Sequence, residues 1–265
     1  MGPVDLAIRP LSPGFGVEVL GLDLGRDINE PVKQSLRDAW DRHSLLLFRD
    51  QLISDDDVDR VASIFGEITQ EGPVGDNPYV SNTIPDGLVP NGELFFHTDL
   101  SFVEHPVLHG LVLYAHEVPP EGAGGDTLFS SVKLAYQLLP AELRERIKHL
   151  QIVHKSPYHP QVDPPLRATK SMVYTHPVTS EKILYCSPRH FEQIVGMTAE
   201  EGQALVDELA AYISRPEIVY KHSWRPYDLV LWDNLVLQHA RTNFDPNHRR
   251  HLRRSKIGLR VPVTR

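Results

Sequence analysis

The chain has a single cysteine, Cys186. It therefore carries no internal disulfide framework and no cysteine-rich zinc module. It has no run of about 18 apolar residues, so no segment reads as a membrane span. Positive charge is in short supply: 27 Lys and Arg stand against 35 Asp and Glu, a net charge of −8. A balance this acidic gives no general pull toward nucleic acid or an anionic membrane, and neither is expected as a partner. Met1-Gly2-Pro3-Val4-Asp5 lacks the basic start and apolar stretch of a secretory leader, so a cytoplasmic protein is expected. No fixed-period repeat or low-complexity tract is visible. The pair Gly14-Phe15-Gly16 has no glycine three places on, which excludes the dinucleotide-binding fingerprint.

What is present favours a β architecture. The 265 residues, 41% hydrophobic and 23% charged, suffice for a sizeable core, and one domain over 1–265 is expected. The 22 prolines and 17 glycines are spread throughout, as in a loop-rich β fold. Short apolar runs read as strands at Val17–Leu20, Ser44–Phe48, His109–His116, Ile152–His154, Ile183–Cys186, Ile218–Tyr220, Leu229–Trp232 and Leu252–Val261. Phe95–Phe102 reads as extended. Helices start at Asn29-Glu30-Pro31, at Ser54 with three aspartates in the first turn, and at Thr198. Leu134–Leu150 holds one or two helices broken at Pro140. Gln70–Glu93 is polar and reads as a long loop of the kind that serves as a lid. There is no regular strand–helix alternation to support a parallel sheet. The pattern is mostly β with helical insertions, a sandwich or jelly roll.

His97-Thr98-Asp99 is the sharpest local signal. In a strand, residues i and i+2 share a face, so an imidazole nitrogen and a carboxylate oxygen would meet at one point. A divalent ion needs a third ligand, and His239, just after Trp232-Asp233-Asn234, is the candidate. Two histidines and one carboxylate form the facial triad of non-haem Fe(II) oxygenases. The lack of thiolate argues against structural zinc. In a chain with 14 histidines such a trio also arises by chance, and spacing alone does not separate the two readings. The run Arg249-Arg250-His251-Leu252-Arg253-Arg254 reads as a solvated charged strand or a nucleic-acid stripe, and alternation allows a third reading that does not displace the solvated strand. Alternation puts Arg250, Leu252 and Arg254 on one face, with the two arginines about 13 Å apart. Turned inward, they would need anionic partners, and a dicarboxylate cosubstrate would satisfy one of them.

Ordered blocks then carry a resemblance over nearly the whole chain. They are Leu47-Phe48-Arg49-Asp50-Gln51, Phe65-Gly66-Glu67-Ile68, Phe96-His97-Thr98-Asp99-Leu100-Ser101-Phe102, Val118-Pro119-Pro120, Gly124-Gly125-Asp126-Thr127-Leu128-Phe129, Tyr174-Thr175-His176-Pro177, Ile183-Leu184-Tyr185, and Asp228–Asn234 with Gln238-His239. The chain resembles the taurine/2,4-dichlorophenoxyacetate (TauD/TfdA) dioxygenases. The resemblance implies a double-stranded β-helix, a jelly roll of cupin-like type. It implies Fe(II), 2-oxoglutarate and O2 as the reacting set, with succinate and CO2 as coproducts of a hydroxylation. It implies His97, Asp99 and His239 as iron ligands, and Thr127 and Arg250 as the pair that holds the far carboxylate of 2-oxoglutarate. Arg254 matches the arginine that meets the anionic group of a small carboxylate or sulfonate substrate. The substrate's apolar part is expected near Phe96, Leu100 and Phe102 or under the Gln70–Glu93 loop, with Glu93 and His190 as candidates for a further polar contact. A homo-oligomer, dimer or tetramer, is expected.

The departures from the family pattern fall on the substrate side. Thr69 stands where the taurine pattern has a histidine, Glu93 near its asparagine and Phe96 in place of its tryptophan. Ser187-Pro188-Arg189-His190-Phe191 replaces Asn-x-Gly-Phe, and Leu235 replaces an arginine. Taurine itself is therefore not the expected substrate. Keeping Asp99 argues against halogenation, which needs that ligand position vacant. Two alternatives stay open: a metalloenzyme on a cupin-like roll that uses no 2-oxoglutarate, and a non-catalytic ligand-binding homologue.

Overall fold

The structure is a computed structural model and describes residues 4–69, 77–105, 107–157 and 163–260. In chain order its strands are β1 (Ile8–Pro10), β2 (Val17–Val19), β3 (Leu45–Phe48), β4 (Tyr79–Ser81), β5 (Leu94–His97), β6 (Leu108–Glu117), β7 (Thr127–Ser131), β8 (Gln151–Lys155), β9 (Arg167–Ser171), β10 (Val173–Thr175), β11 (Lys182–Leu184), β12 (Phe191–Ile194), β13 (Val219–His222), β14 (Leu229–Asp233), β15 (Leu237–Arg241) and β16 (His251–Gly258). The α-helices are α1 (Glu30–His43), α2 (Asp55–Ala62), α3 (Val132–Leu138), α4 (Ala141–Ile147) and α5 (Ala199–Ile213).

A large sheet runs β1-β2-β3-β14-β6-β16-β4 and a smaller one β13-β7-β15-β5. Only β2 and β3 pair in parallel among the strands of these two sheets. β3, and the runs Leu111–Ala115 of β6 and Leu229–Trp232 of β14, are continuously apolar because both faces are covered, which is why they show no alternation of polarity. Leu45, Leu47, Leu111, Leu113, Val230 and Trp232 of the large sheet share one core with Phe129 and Leu237 of the small one. The opposite parity, Leu46, Phe48, Val112, Tyr114, Leu229 and Leu231, packs on Leu36 and Trp40 of α1 and Val58 and Val61 of α2. Each such fully buried side chain contributes about 1.5–3 kcal/mol. The result is the expected jelly roll, open at its edges and decorated by helices.

Helix ends follow the local chemistry. Asn29 caps α1 through the N–H of Val32, and Ser44 ends it in the left-handed region at φ 61°. Ser54 and Asp57 cap each other's backbone at the start of α2. Pro140 separates α3 from α4, as its missing N–H requires. Several expectations need correction. Ser44 is a helix cap and not a strand residue. The extended stretch ends at His97, because residues 99–102 turn. In the Gln70–Glu93 loop, 70–76 lie outside the described residues, and the remainder contains β4, hydrogen-bonded to the edge of β16. The end of the last expected strand, Val261, also lies outside them. Among the described residues no helix is long and apolar enough to cross a membrane.

Candidate active site

β5 and β15 are neighbours, and His97 sits directly opposite His239 in their register. Two histidines far apart in sequence thus become cross-strand partners, with ring centroids 4.3 Å apart. The next paired residues are Leu94 and Arg241, so three steps on β5 oppose two on β15. This bulge lets Leu94 and His97 both meet their partners despite their odd spacing. Asp99 joins the pair from a turn, not from the strand face that alternation predicts. The chain reverses at Leu100, which has φ 53°. Asp99 Oδ1 lies 3.2 Å from His97 Nε2 and 3.7 Å from His239 Nε2.

Hydrogen bonding fixes which nitrogen can bind a metal. His97 Nδ1 lies 2.8 Å from the carbonyl of Phe95, an acceptor only, so Nδ1 carries the proton and Nε2 keeps its lone pair for the shared point. A second trio, His109, His176 and Asp233, also has its ligand atoms within 4.8 Å of one another. There His176 Nδ1 accepts from the backbone N–H of Val178 and of Thr179, at 3.3 and 3.0 Å. Its proton must therefore sit on Nε2, which faces Asp233 Oδ2 at 2.9 Å. A protonated nitrogen has no lone pair for a metal, so only the first trio fits a cation. Burial, with His97 adding to it, holds His239 neutral, with its pKa pulled down to about 3. Burial opposes ionisation of Asp99, but His97, His239 and Arg254 outweigh it and lower its pKa. Two imidazoles and a carboxylate are a donor set that fits Fe(II).

A buried cation site lies alongside. Arg250 is 2% exposed, its Nε donates to the Gly125 carbonyl at 3.3 Å, and its Nη1 has no protein partner. Burial first, and Arg241 second, lower its pKa to about 9. A buried guanidinium with an unsatisfied nitrogen calls for an anionic partner. The turn beneath it needs glycine: at Gly124, φ is +85° and a Cβ would lie 2.0 Å from the Asn243 carbonyl oxygen. Two residues beyond Gly125, Thr127 Oγ1 accepts from Trp224 Nε1 at 2.9 Å. Trp224 takes one acceptor site of this hydroxyl, and its proton remains able to donate to a carboxylate. Trp224 was not singled out in the sequence, where nothing about an isolated tryptophan marks it as a donor to Thr127.

The remaining candidates fall in different places. Arg254 Nη1 is 3.6 Å from Asp99 Oδ2. It also lines a cavity of about 400 Å³ with Ile68, Thr69, Pro78 and Lys256. Leu100 lines a narrow cleft with Asp99, Tyr174 and Tyr185. Phe96 is half-buried against the core, in the bulge opposite Ala240. Glu93 is exposed at the foot of β5. His190 is 2% exposed, hydrogen-bonded to Ser101 at 2.8 Å, with its ring 5.6 Å from that of His97. Phe102 stacks edge-on against it at 5.1 Å. The alternation argument for the arginines also needs repair. Arg250 precedes β16, and the register slips between His251 and Leu252. Arg253, on the other face, is not solvated but pairs with Asp59 of α2 at 2.7 Å.

Residues 7–256 match the family model described as "Taurine catabolism dioxygenase TauD, TfdA family". The chain belongs to this family. Among its relatives, pentalenolactone F synthase of Streptomyces avermitilis is 29% identical over 276 residues, 91% of this chain and 90% of the relative. The alpha-ketoglutarate-dependent 2,4-dichlorophenoxyacetate dioxygenase of Cupriavidus pinatubonensis is 29% identical over 287 residues, 95% and 97% of the two chains. The crystal structure of AAD-2 in complex with Mn(II) and N-oxalylglycine superposes with a TM-score of 0.84 at 30% identity, covering 98% of this chain and 100% of that one. The protein is a 2-oxoglutarate-dependent dioxygenase of this family, and its cofactors are Fe(II), 2-oxoglutarate and O2.

Proposed function

We propose that the enzyme hydroxylates a small organic anion, a carboxylate or a sulfonate, and that Arg254 receives its anionic group. The observation that carries this reading is the position of Arg254. Its guanidinium is 3.6 Å from Asp99 of the trio, and the residue also lines a cavity of about 400 Å³ with Asp59, Ile68, Thr69 and Pro78. Arg is the side chain best shaped to hold a carboxylate or sulfonate through two hydrogen bonds. The 2,4-dichlorophenoxyacetate relative, whose named substrate is a carboxylate, supports the same class. In this reading His97, Asp99 and His239 hold Fe(II), while Arg250 and Thr127 hold the far carboxylate of 2-oxoglutarate. Bound there, the metal and cosubstrate supply oxidation of a C–H bond by O2, with 2-oxoglutarate leaving as succinate and CO2. The protein fixes the cosubstrate between a guanidinium and a hydroxyl, orients one substrate C–H bond toward the trio, and keeps water out. Leu100 and Phe96 would border the substrate's apolar part. Glu93, exposed at the foot of β5, and His190, buried beside His97, stay the candidates for a further polar contact.

A panel of small carboxylates, sulfonates, aryloxy acids and their neutral amides, read by succinate release, tests the reading. Anions turned over well and amides poorly, with Arg254→Ala raising substrate KM but sparing that of 2-oxoglutarate, is the expected result. Equal turnover of amides, unchanged in Arg254→Ala, would leave the oxygenase class without the anion preference. Metal-dependent oxidation without succinate would favour the cupin-like alternative. The charge of −8 supports a partner list without nucleic acid, and light scattering tests the expected dimer or tetramer.

A further inference from the structure

We infer that Asn234 is the positioning residue for Asp99, and that the His109–Asp233–His176 cluster is a buried brace for Asn234 and not a second metal site. The inference rests on the reading that Asp99 is a metal ligand.

Asp99 belongs to a turn, and a turn does not hold a ligand as a strand ladder does. Asn234 supplies the missing restraint. Its Oδ1 accepts from the Asp99 N–H at 3.0 Å, and its Nδ2 donates to the Asp99 carbonyl at 3.0 Å. The same Nδ2 also donates to the Leu108 carbonyl at 3.2 Å. One side-chain amide thus grips both polar backbone groups of the ligand residue and ties them to β6. Asn234 is itself 1% exposed, and its N–H donates to the His109 carbonyl at 2.8 Å.

The brace is the residue before it. Asp233 Oδ1 accepts from the N–H of Leu235 and of Val236, which closes the turn between β14 and β15. Its Oδ2 faces His176 Nε2 at 2.9 Å and His109 Nε2 at 3.4 Å. The protonated Nε2 of His176 is fixed by two backbone donors on Nδ1, as described above. His109 fills the remaining side, with its ring 4.7 Å from that of Trp40 on α1. All three members are buried. The chain therefore runs from α1 through the brace to Asn234 and on to Asp99, and groups that orient metal ligands typically matter by about 10- to 100-fold in affinity.

The test is Co(II) titration of metal-free full-length protein, followed by visible absorption and accompanied by the Tm of the metal-free form. Asp99→Ala is run first. If it binds Co(II) as wild type does, the metal reading itself fails, separately from this inference. Asn234→Ala should then lose about 10- to 100-fold in affinity and change the Co(II) band. The control is Asp228→Asn, at the far end of β14, where the buried carboxylate holds Arg49 at 2.6 Å. It should lower the Tm of the metal-free protein while leaving Co(II) affinity and spectrum at their wild-type values. Asn234→Ser and His176→Phe give the same reading at lower structural cost, with losses of about threefold to tenfold. Wild-type affinity in all three variants, or an equal loss in Asp228→Asn, would overturn the positioning role. A second equivalent of Co(II) at saturation, absent in His176→Phe, would overturn the brace.

Discussion

Which ring nitrogen carries the proton separates two trios of identical composition. His97 and His176 each face a carboxylate, yet the first keeps Nε2 open and the second keeps it protonated. Removing one open ligand leaves too few donors to hold a divalent ion. His97→Ala and His239→Ala should each weaken Fe(II) or Co(II) binding by at least about 100-fold in equilibrium dialysis, beyond the loss expected from an outer group. Full binding by either variant would remove the triad. On the proposed reading, the cosubstrate end turns on Arg250, whose Nη1 has no protein partner. Truncating one member of a buried charge pair costs about 2–5 kcal/mol, so Arg250→Ala should raise the 2-oxoglutarate KM by roughly thirtyfold to several thousandfold. Trp224→Phe removes one neutral hydrogen bond to Thr127 and should raise it about fivefold, for a loss of about 1 kcal/mol. An unchanged KM in Arg250→Ala would assign the carboxylate to another cation.

Secondary structure is legible where local chemistry decides it. Ser54 and Asp57 mark the start of α2 in the sequence, and each caps the other's backbone in the fold. Ser54→Ala should cost about 1 kcal/mol in urea unfolding. The Arg60 hydrogen bond first, and the Ser54 hydroxyl and N–H next, hold the Asp57 carboxyl down to about 2 from 3.8. A carboxyl whose pKa is lowered on folding stabilises fully above its unfolded value and loses that contribution as pH falls through its folded value. The stability gap between wild type and Asp57→Asn should therefore narrow between about pH 4 and pH 2, and a gap that persists at pH 2 would place the contribution elsewhere. The sequence is silent where tertiary pairing decides. The bulge in β5 and the turn at Asp99 leave no periodic trace in Leu94-Phe95-Phe96-His97-Thr98-Asp99. The three candidate ligands do converge, but not by the strand geometry that the motif predicted. β9, with Arg167, Thr169 and Lys170 among its residues, is too polar to announce itself, and it forms by pairing with β8. Trp224 and Asn234 act through partners 97 and 135 positions away, which no local pattern encodes.

At the scale of the whole molecule, the site is divided between the two sheets. His97, His239 and Thr127 come from the small sheet, while Arg254 lies on β16 of the large sheet and Arg250 directly precedes it. On the proposed reading, the metal would be held by the small sheet and the turn that follows β5. A cosubstrate that reaches both the metal and Arg250 would join the two sheets. Each ligand that binds only the folded state adds about 2.7 kcal/mol at a concentration of 100 times its Kd. For a chain of this size that corresponds to a rise in Tm of roughly 5–10 °C per ligand. Mn(II) followed by N-oxalylglycine, the pair bound in the AAD-2 crystal structure, provides two separable increments without turnover. Wild type should show both in calorimetry. Arg250→Ala should keep the Mn(II) increment and lose most of the second, because only the link to the large sheet is cut. His239→Ala should lose both, since the second ligand binds through the first. A full second increment in Arg250→Ala would show that the cosubstrate stays within the small sheet, and an Mn(II) increment surviving in His239→Ala would place the metal outside the trio.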